Sequence, residues 1–177
     1  ALLGAGLGDN AAAALGLQAG PGDAIVSLGT SGVISAVTDV APCDPSGIVA
    51  GFADGTGRHL PLVCTLNGAP VLAATARMLG VDLDEFARLA VSAPAGAHGL
   101  RLVPYFAGER SPNLPDATGS LTGITTENFT APSVARAAVE GLLGSLVWCR
   151  EQIEAQGVDV ERVLLIGGGA KSPAIRA

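Results

Sequence analysis

Charge is scarce in this sequence. Only 15 % of its 177 residues are charged, and ten Lys and Arg against sixteen Asp and Glu leave a net charge of −6. The basic residues are scattered singly, so there is no basic patch to hold nucleic acid or an anionic membrane, and both are excluded as partners. Aromatic residues make up 3 %, too few for a base-stacking platform. Cys43, Cys64 and Cys149 are odd in number, far apart and without a C-x-x-C, which points to neither a disulfide framework nor a zinc site. Reduced thiols of this kind fit the cytoplasm. No run of roughly eighteen apolar residues is present to span a bilayer. The P-loop pattern G-x-x-x-x-G-K-[ST] is missing. Gly4, Gly6 and Gly8 do not complete G-x-G-x-x-G, because Asp9 stands where the third glycine belongs, and this argues against a dinucleotide fold.

What is present is an apolar, glycine-rich chain: 49 % hydrophobic residues and 25 Gly, the composition of a close-packed α/β protein. The length suffices for one domain with a sizeable core. The opening ALLGAGLGDN has no basic n-region and soon meets Asp9, so it does not read as a signal peptide. Ala1 is not a Met, and Ala177 falls just after an incipient helix; the sequence is therefore expected to be a piece of a longer protein.

Strand signals come early. Ala24–Leu28 and Val33–Val37 are rich in Val and Ile and flank Gly29-Thr30-Ser31-Gly32, which predicts a β-hairpin. An alanine-rich helix is expected over Asn10–Leu17, with Asp9 capping it. Two further strands, Ile48–Ala53 and Leu60–Thr65, are expected around the turn Asp54–Gly57. Pro70 suits the first turn of a helix that stops at Gly80. Asp82 and Glu85 form a D-x-x-E capping box for the next, with Val81 and Phe86 as its staple. A short strand over Leu100–Pro104 leads into a long irregular loop, 105–128. The longest helix, Ala131–Gln156, is expected to be capped by Thr130 and stopped by Gly157. Its Val139, Leu142, Leu143, Leu146, Val147 and Ile153 repeat at core-facing spacing, and Gly141 and Gly144 suggest close backbone packing. Val163–Ile166 is a buried strand running into Gly167-Gly168-Gly169-Ala170, with a helix starting at Ser172-Pro173.

Three separated elements carry the chemistry. Glycines around Thr30 and Ser31 turn backbone N–H groups toward one point and add two hydroxyl donors, the makings of an anion site, although an ordinary hairpin explains the same residues. A strand ending in three glycines and a helix lets backbone approach a nucleotide, although it also serves as a simple tight turn. Asp9 after its glycines is the third. Glu109 and Arg110, adjacent opposite charges in the irregular loop, read as a solvated pair with a structural role. His59 and His98 have no partners at ligand spacing and are not catalytic candidates.

In order, GLGDNAAAALGL (6–17), IVSLGTSGVI (25–34), LVPYFAGERSPNLPDATGSLTGI (102–124) and VLLIGGGAKSPAIRA (163–177) resemble the second half of an FGGY-family carbohydrate kinase. PYFAGERSPN and GGGAKSP look most like its xylulokinase branch. The resemblance implies an α/β, actin-like (ribonuclease-H-like) ATPase domain, a mixed sheet with flanking helices. It makes residues 1–177 the C-terminal, nucleotide-binding domain, truncated at both ends, with the sugar-binding N-terminal half absent. The implied reaction is ATP-dependent phosphorylation of a small ketose such as D-xylulose in the cytoplasm, with the fragment alone inactive. Asp9 matches the family's catalytic base; Gly29, Thr30 and Ser31 match its phosphate loop; Gly168, Gly169 and Ala170 match its adenosine motif. Lys171 could lie near a phosphate or the ribose. Leu7 departs from the glycine of many relatives, which touches loop detail. The family implies Mg²⁺, for which this sequence offers no convincing ligand set, and a homodimer is compatible with the resemblance. The alternatives are another kinase of the family, for ribulose, gluconate or glycerol, and a non-kinase actin-like nucleotide-binding domain.

Overall fold

The computed structural model describes Gly4 and residues 6–177. After the Gly20–Asp23 turn, the first β-rich run forms β1 (Asp23–Leu28), paired antiparallel with β2 (Gly32–Ala36), with Leu28 opposite Gly32. The short β3 (Leu62–Cys64) extends this antiparallel arrangement beyond β2. From the far end of the chain, β6 (Arg162–Ile166) returns to lie parallel to β1, giving the order β3-β2-β1-β6 in a mixed sheet. Asp23 fixes that long-range pairing. It lies opposite Arg162, whose Nε and Nη2 donate to its two carboxylate oxygens at 2.7 and 2.8 Å. The Arg162 bonds, then the Gly20 N–H, hold the Asp23 carboxyl below the usual carboxylate range despite its burial.

Alternation along β1 sends its side chains to two cores. Ala24, Val26 and Leu28 join Ile34 and Ala36 beneath four helices: α2 (Ala69–Leu79), α3 (Leu83–Ser92), α4 (Ala131–Glu154) and α5 (Pro173–Arg176). Ile25, with Val37 and Leu60, faces the other side, where Ala11 and Ala14 of α1 (Asp9–Gly16) pack. Helix ends follow local chemistry. Pro70 sits in the first turn of α2, and Gly80 ends it at φ 72°. Thr130 Oγ1 accepts from the Ser133 N–H at the start of α4, and Gly157 adopts φ 81° beyond its end.

Several expectations are corrected. The strand over 48–53 is reduced to isolated pairings of Ala50 with Leu62 and of Ala53 with His59. On its other edge Pro61 accepts from the Ala36 N–H at 3.1 Å but has no N–H to return, and the regular pairing with β2 narrows to Leu62–Cys64. The 105–128 loop contains β5 (Ser120–Thr122), antiparallel to β4 (Arg101–Val103). The capping box is half made: Asp82 accepts from the Glu85 N–H at 2.8 Å, but the Glu85 carboxylate turns forward to the Arg88 guanidinium. A charged partner one helical turn away outcompetes an exposed backbone N–H. Gly8, not Asp9, is the N-cap of α1; Asp9 is its first residue and accepts from the Asn10 N–H at 2.8 Å. On α4, Val139, Leu142, Leu146 and Ile153 are buried, but Val147 lies off that stripe and is 53 % exposed. Of its two glycines only Gly141 is pressed against backbone, at Leu102; a Cβ on Gly144 would meet nothing.

Candidate active site

Because β1 and β6 are parallel neighbours, their C-terminal ends emerge side by side: Leu28 leads into Gly29, and Ile166 leads into Gly167. The carboxyl ends of adjacent parallel strands are where open α/β sheets offer a crevice. Gly167 has φ 86°, and a Cβ there would stand 2.6 Å from the Leu28 carbonyl oxygen, so only glycine fits. Gly169 presses equally on the Leu28 side chain, with its Cβ position 2.6 Å from Leu28 Cδ2. Residues Gly168–Lys171 form a single 3₁₀ turn, in which the Ala170 N–H donates to Gly167 O at 3.2 Å. The two loops, 139 residues apart in sequence at the Asp23–Arg162 pairing, are thus held in backbone contact.

A cavity of about 400 Å³ opens between them, with Gly29, Gly168 and Gly169 on one wall and Leu72, Phe86 and Ala87 on the other. Asp84 and the exposed Lys171 also line it. The apolar wall comes from α2 and α3 and was not foreseen from the sequence. The only signal for it was Leu83, an apolar residue directly after the Asp82 cap, which is 57 % exposed at this cavity.

The hairpin tip is braced from below. The Gly29 N–H donates to Ser31 O at 3.0 Å, and the Ala69 N–H donates to Gly29 O at 2.8 Å. Gly29 therefore shapes the loop rather than offering its own donor. Among the described residues, the N–H groups and hydroxyls of Thr30 and Ser31 have no hydrogen-bond partner. Thr30 is exposed and Ser31 half-buried, which leaves four donors at one tip, the arrangement that receives an anion.

Asp9 is elsewhere. It heads α1 on the other face of the sheet and lines a second cavity, of about 250 Å³, with Gly6, Phe52 and Asp54. Burial pushes the Asp54 carboxyl up, but the Thr56 hydroxyl and the Thr56 and Arg58 N–H groups outweigh it and hold it low. Asp54 is thereby committed to its own turn, whereas Asp9 is exposed and, among the described residues, its carboxylate bonds only to its neighbour Asn10. The structure thus joins Gly29 to Gly168 and Gly169, and keeps the carboxylate in a separate cavity.

Among the described residues, no group of three or more His, Cys, Asp or Glu is placed to hold a metal ion. His98 is tied to the Ser133 hydroxyl at 3.0 Å. The Glu109–Arg110 pair is divided: Arg110 is exposed, but Glu109 is 1 % exposed, which overturns its reading as a solvated charge. Four hydrogen-bond donors converge on its carboxylate and make burial tolerable. No helix of the described residues is long and apolar enough to cross a membrane.

A mixed sheet with helices packed on it, and two glycine loops meeting at the ends of parallel strands, define a domain of the actin-like ATPase fold. Comparison with known proteins narrows this. The family model "FGGY family of carbohydrate kinases, C-terminal domain" matches residues 24–177. A xylulose kinase of Streptomyces rubiginosus is 43 % identical over 174 residues, which cover 98 % of this chain and 34 % of that protein. A gluconokinase of Bacillus licheniformis is 31 % identical over 183 residues, covering 94 % of this chain and 35 % of its own length. The crystal structure of xylulose kinase from Bifidobacterium adolescentis superimposes with a TM-score of 0.92 at 53 % identity, over 97 % of this chain and 34 % of that one. The chain belongs to the FGGY family of carbohydrate kinases. It spans about a third of the length of these relatives.

Proposed function

We propose that this chain is the C-terminal, nucleotide-binding domain of an ATP-dependent sugar kinase, and that the whole protein converts D-xylulose to D-xylulose 5-phosphate in the cytoplasm. The observation that carries the reading is the cavity walled by Gly29, Gly168 and Gly169, where two donor-bearing loops meet an apolar wall. An adenosine fits that pairing: Gly168–Ala170 give close backbone approach, and Leu72, Phe86 and Ala87 give apolar surface. The unpartnered donors of Thr30 and Ser31 would receive the β- and γ-phosphates, stabilising charge that builds during transfer. Asp9, exposed and bonded through its carboxylate to Asn10, would take the proton from the attacking sugar hydroxyl. Mg²⁺ accompanying ATP would offset phosphate charge, with ligands not assigned to this chain.

Relatives named xylulose kinase support D-xylulose as substrate. The gluconokinase at 31 % identity supports a second reading, in which gluconate is the acceptor. An ADP-release assay on the full-length protein with ATP and a panel of D-xylulose, D-ribulose, gluconate and glycerol tests this. D-Xylulose should give the highest kcat/KM. Turnover highest on gluconate would favour the second reading, and no sugar-dependent ADP release would reject the kinase.

A further inference from the structure

Glu109 is the most deeply buried carboxylate of the chain, and the chemistry proposed above does not use it. Its oxygens accept from the Leu66 N–H at 2.6 Å, the Arg110 N–H at 2.7 Å, the Ser111 N–H at 3.5 Å and Asn67 Nδ2 at 2.9 Å. All of these bonds run into the carboxylate, as suits a group that only accepts. Two belong to its own loop, whereas Leu66 and Asn67 lie in the connection between β3 and α2. Asn67 doubles the tie: its Nδ2 also donates to Gly108 O at 2.7 Å, and its Oδ1 accepts from the Phe106 N–H at 3.0 Å.

That connection is the floor of the hairpin tip. The Thr65 hydroxyl accepts from the Gly32 N–H at 3.0 Å and lies 2.9 Å from Asn67 O. The Ala69 N–H donates to Gly29 O. Gly68 has no room for a side chain, since its Cβ position is 2.6 Å from Gly29 O and 2.8 Å from Thr30 O. A displacement of residues 65–69 is therefore transmitted to Gly29–Ser31 by backbone contact. Resting on the nucleotide reading above, we propose that Glu109 is a positioning residue for the phosphate loop, holding the β3–α2 connection against Gly29–Ser31 so that the Thr30 and Ser31 donors stay aligned. A position needing only volume would be met by an apolar residue at lower desolvation cost.

The test uses the full-length protein and Glu109→Gln, which keeps the shape but brings an amide NH₂ among donors. Affinity is measured by calorimetry for the Mg²⁺ complex of a non-hydrolysable ATP analogue and, separately, for adenosine, with a thermal melt alongside. The analogue should bind about tenfold more weakly, the scale of one disrupted buried charged hydrogen bond. Adenosine, held at Gly168–Ala170, should change by less than about twofold, and kcat should fall by roughly 10- to 100-fold through misplacement of the phosphates. Equal losses for both ligands, or no loss for the analogue, would overturn the proposal. If the melt shows that Glu109→Gln does not fold, Asn67→Ser carries the same readout, because it removes the Oε2 partner and leaves Glu109 its backbone donors. A wild-type protein without affinity for the analogue would instead overturn the nucleotide-site reading beneath it.

Discussion

Two glycines one turn apart on α4 predict opposite responses to the same substitution. Gly141 and Gly144 both sit in the interior of the 24-residue helix Ala131–Glu154. Replacing a helical glycine with alanine gains about 1 kcal/mol in intrinsic propensity. At Gly144, exposed and with nothing within 4 Å of the added Cβ, that gain should appear in full. At Gly141 the added Cβ falls closer than 3.0 Å to the Leu102 carbonyl oxygen and 3.1 Å from its carbon. Leu102 is in β4, so the obstacle is backbone, and α4 must move off the β4–β5 hairpin. Overpacking of this kind costs about 1–3 kcal/mol, and a backbone obstacle belongs to the upper end. The net expectation is Gly144→Ala stabilised by about 1 kcal/mol and Gly141→Ala destabilised by about 1–2 kcal/mol. In a thermal melt these correspond to shifts of roughly +2 to +4 °C and −2 to −8 °C. Urea titration of each variant at constant m checks the same difference without a temperature extrapolation. A stabilised Gly141→Ala would refute the claim that this glycine seats β4, and with it the placement of the loop that follows β4 and carries Glu109.

Other consequences are as open to measurement. Asp23, held below the usual carboxylate range by Arg162, contributes stability that is present above its unfolded pKa and lost as pH falls through the lower, folded one. Asp23→Asn should therefore destabilise at neutral pH by about 1–2 kcal/mol, discounted for the exposed guanidinium, and flatten the acid limb of stability against pH; an unchanged limb would count against the β1–β6 pin. Burial, then Glu109, pushes the Cys149 thiol up to about 12, so it should resist alkylation at pH 8 in the native state while the exposed Cys43 reacts. Mass spectrometry of the alkylated chain reads this directly, and rapid native-state labelling of Cys149 would contradict the packing around α4.

Much of the fold was legible because local rules governed it. The hairpin followed from two β-branched runs around a glycine-bounded turn, α2 from Pro70 and Gly80, and α4 from Thr130 and an apolar stripe. Legibility failed where a distant partner decided the outcome. β5 exists because β4 lies beside it, and its residues Ser120–Thr122 carry little strand pattern of their own. The run over 48–53 had the pattern but holds only isolated pairings, with Leu62 and His59. Glu109 looked like a surface charge because the donors that hold it, Leu66 N–H and Asn67 Nδ2, lie 43 and 42 residues away. At the candidate site, the glycines and Asp9 were visible as motifs. The wall of Leu72, Phe86 and Ala87 was not, since ordinary helical residues acquire a role only once α2 and α3 are set against the β1 and β6 loops.

The central claim is that Asp9 is a general base rather than a structural residue. The measurement that tests it most directly is steady-state kinetics of Asp9→Asn in the full-length protein, with a thermal melt on the same preparation. Gly8 is the N-cap of α1, and the bond from the Asn10 N–H to Oδ1 survives in asparagine, so the melt should move little. The proposed nucleotide contacts at Gly29, Gly168 and Gly169 line the other cavity, so KM for ATP should stay within about twofold while kcat falls by roughly 10²–10⁴-fold. A kcat near that of the wild type, with the melt unchanged, would contradict the account.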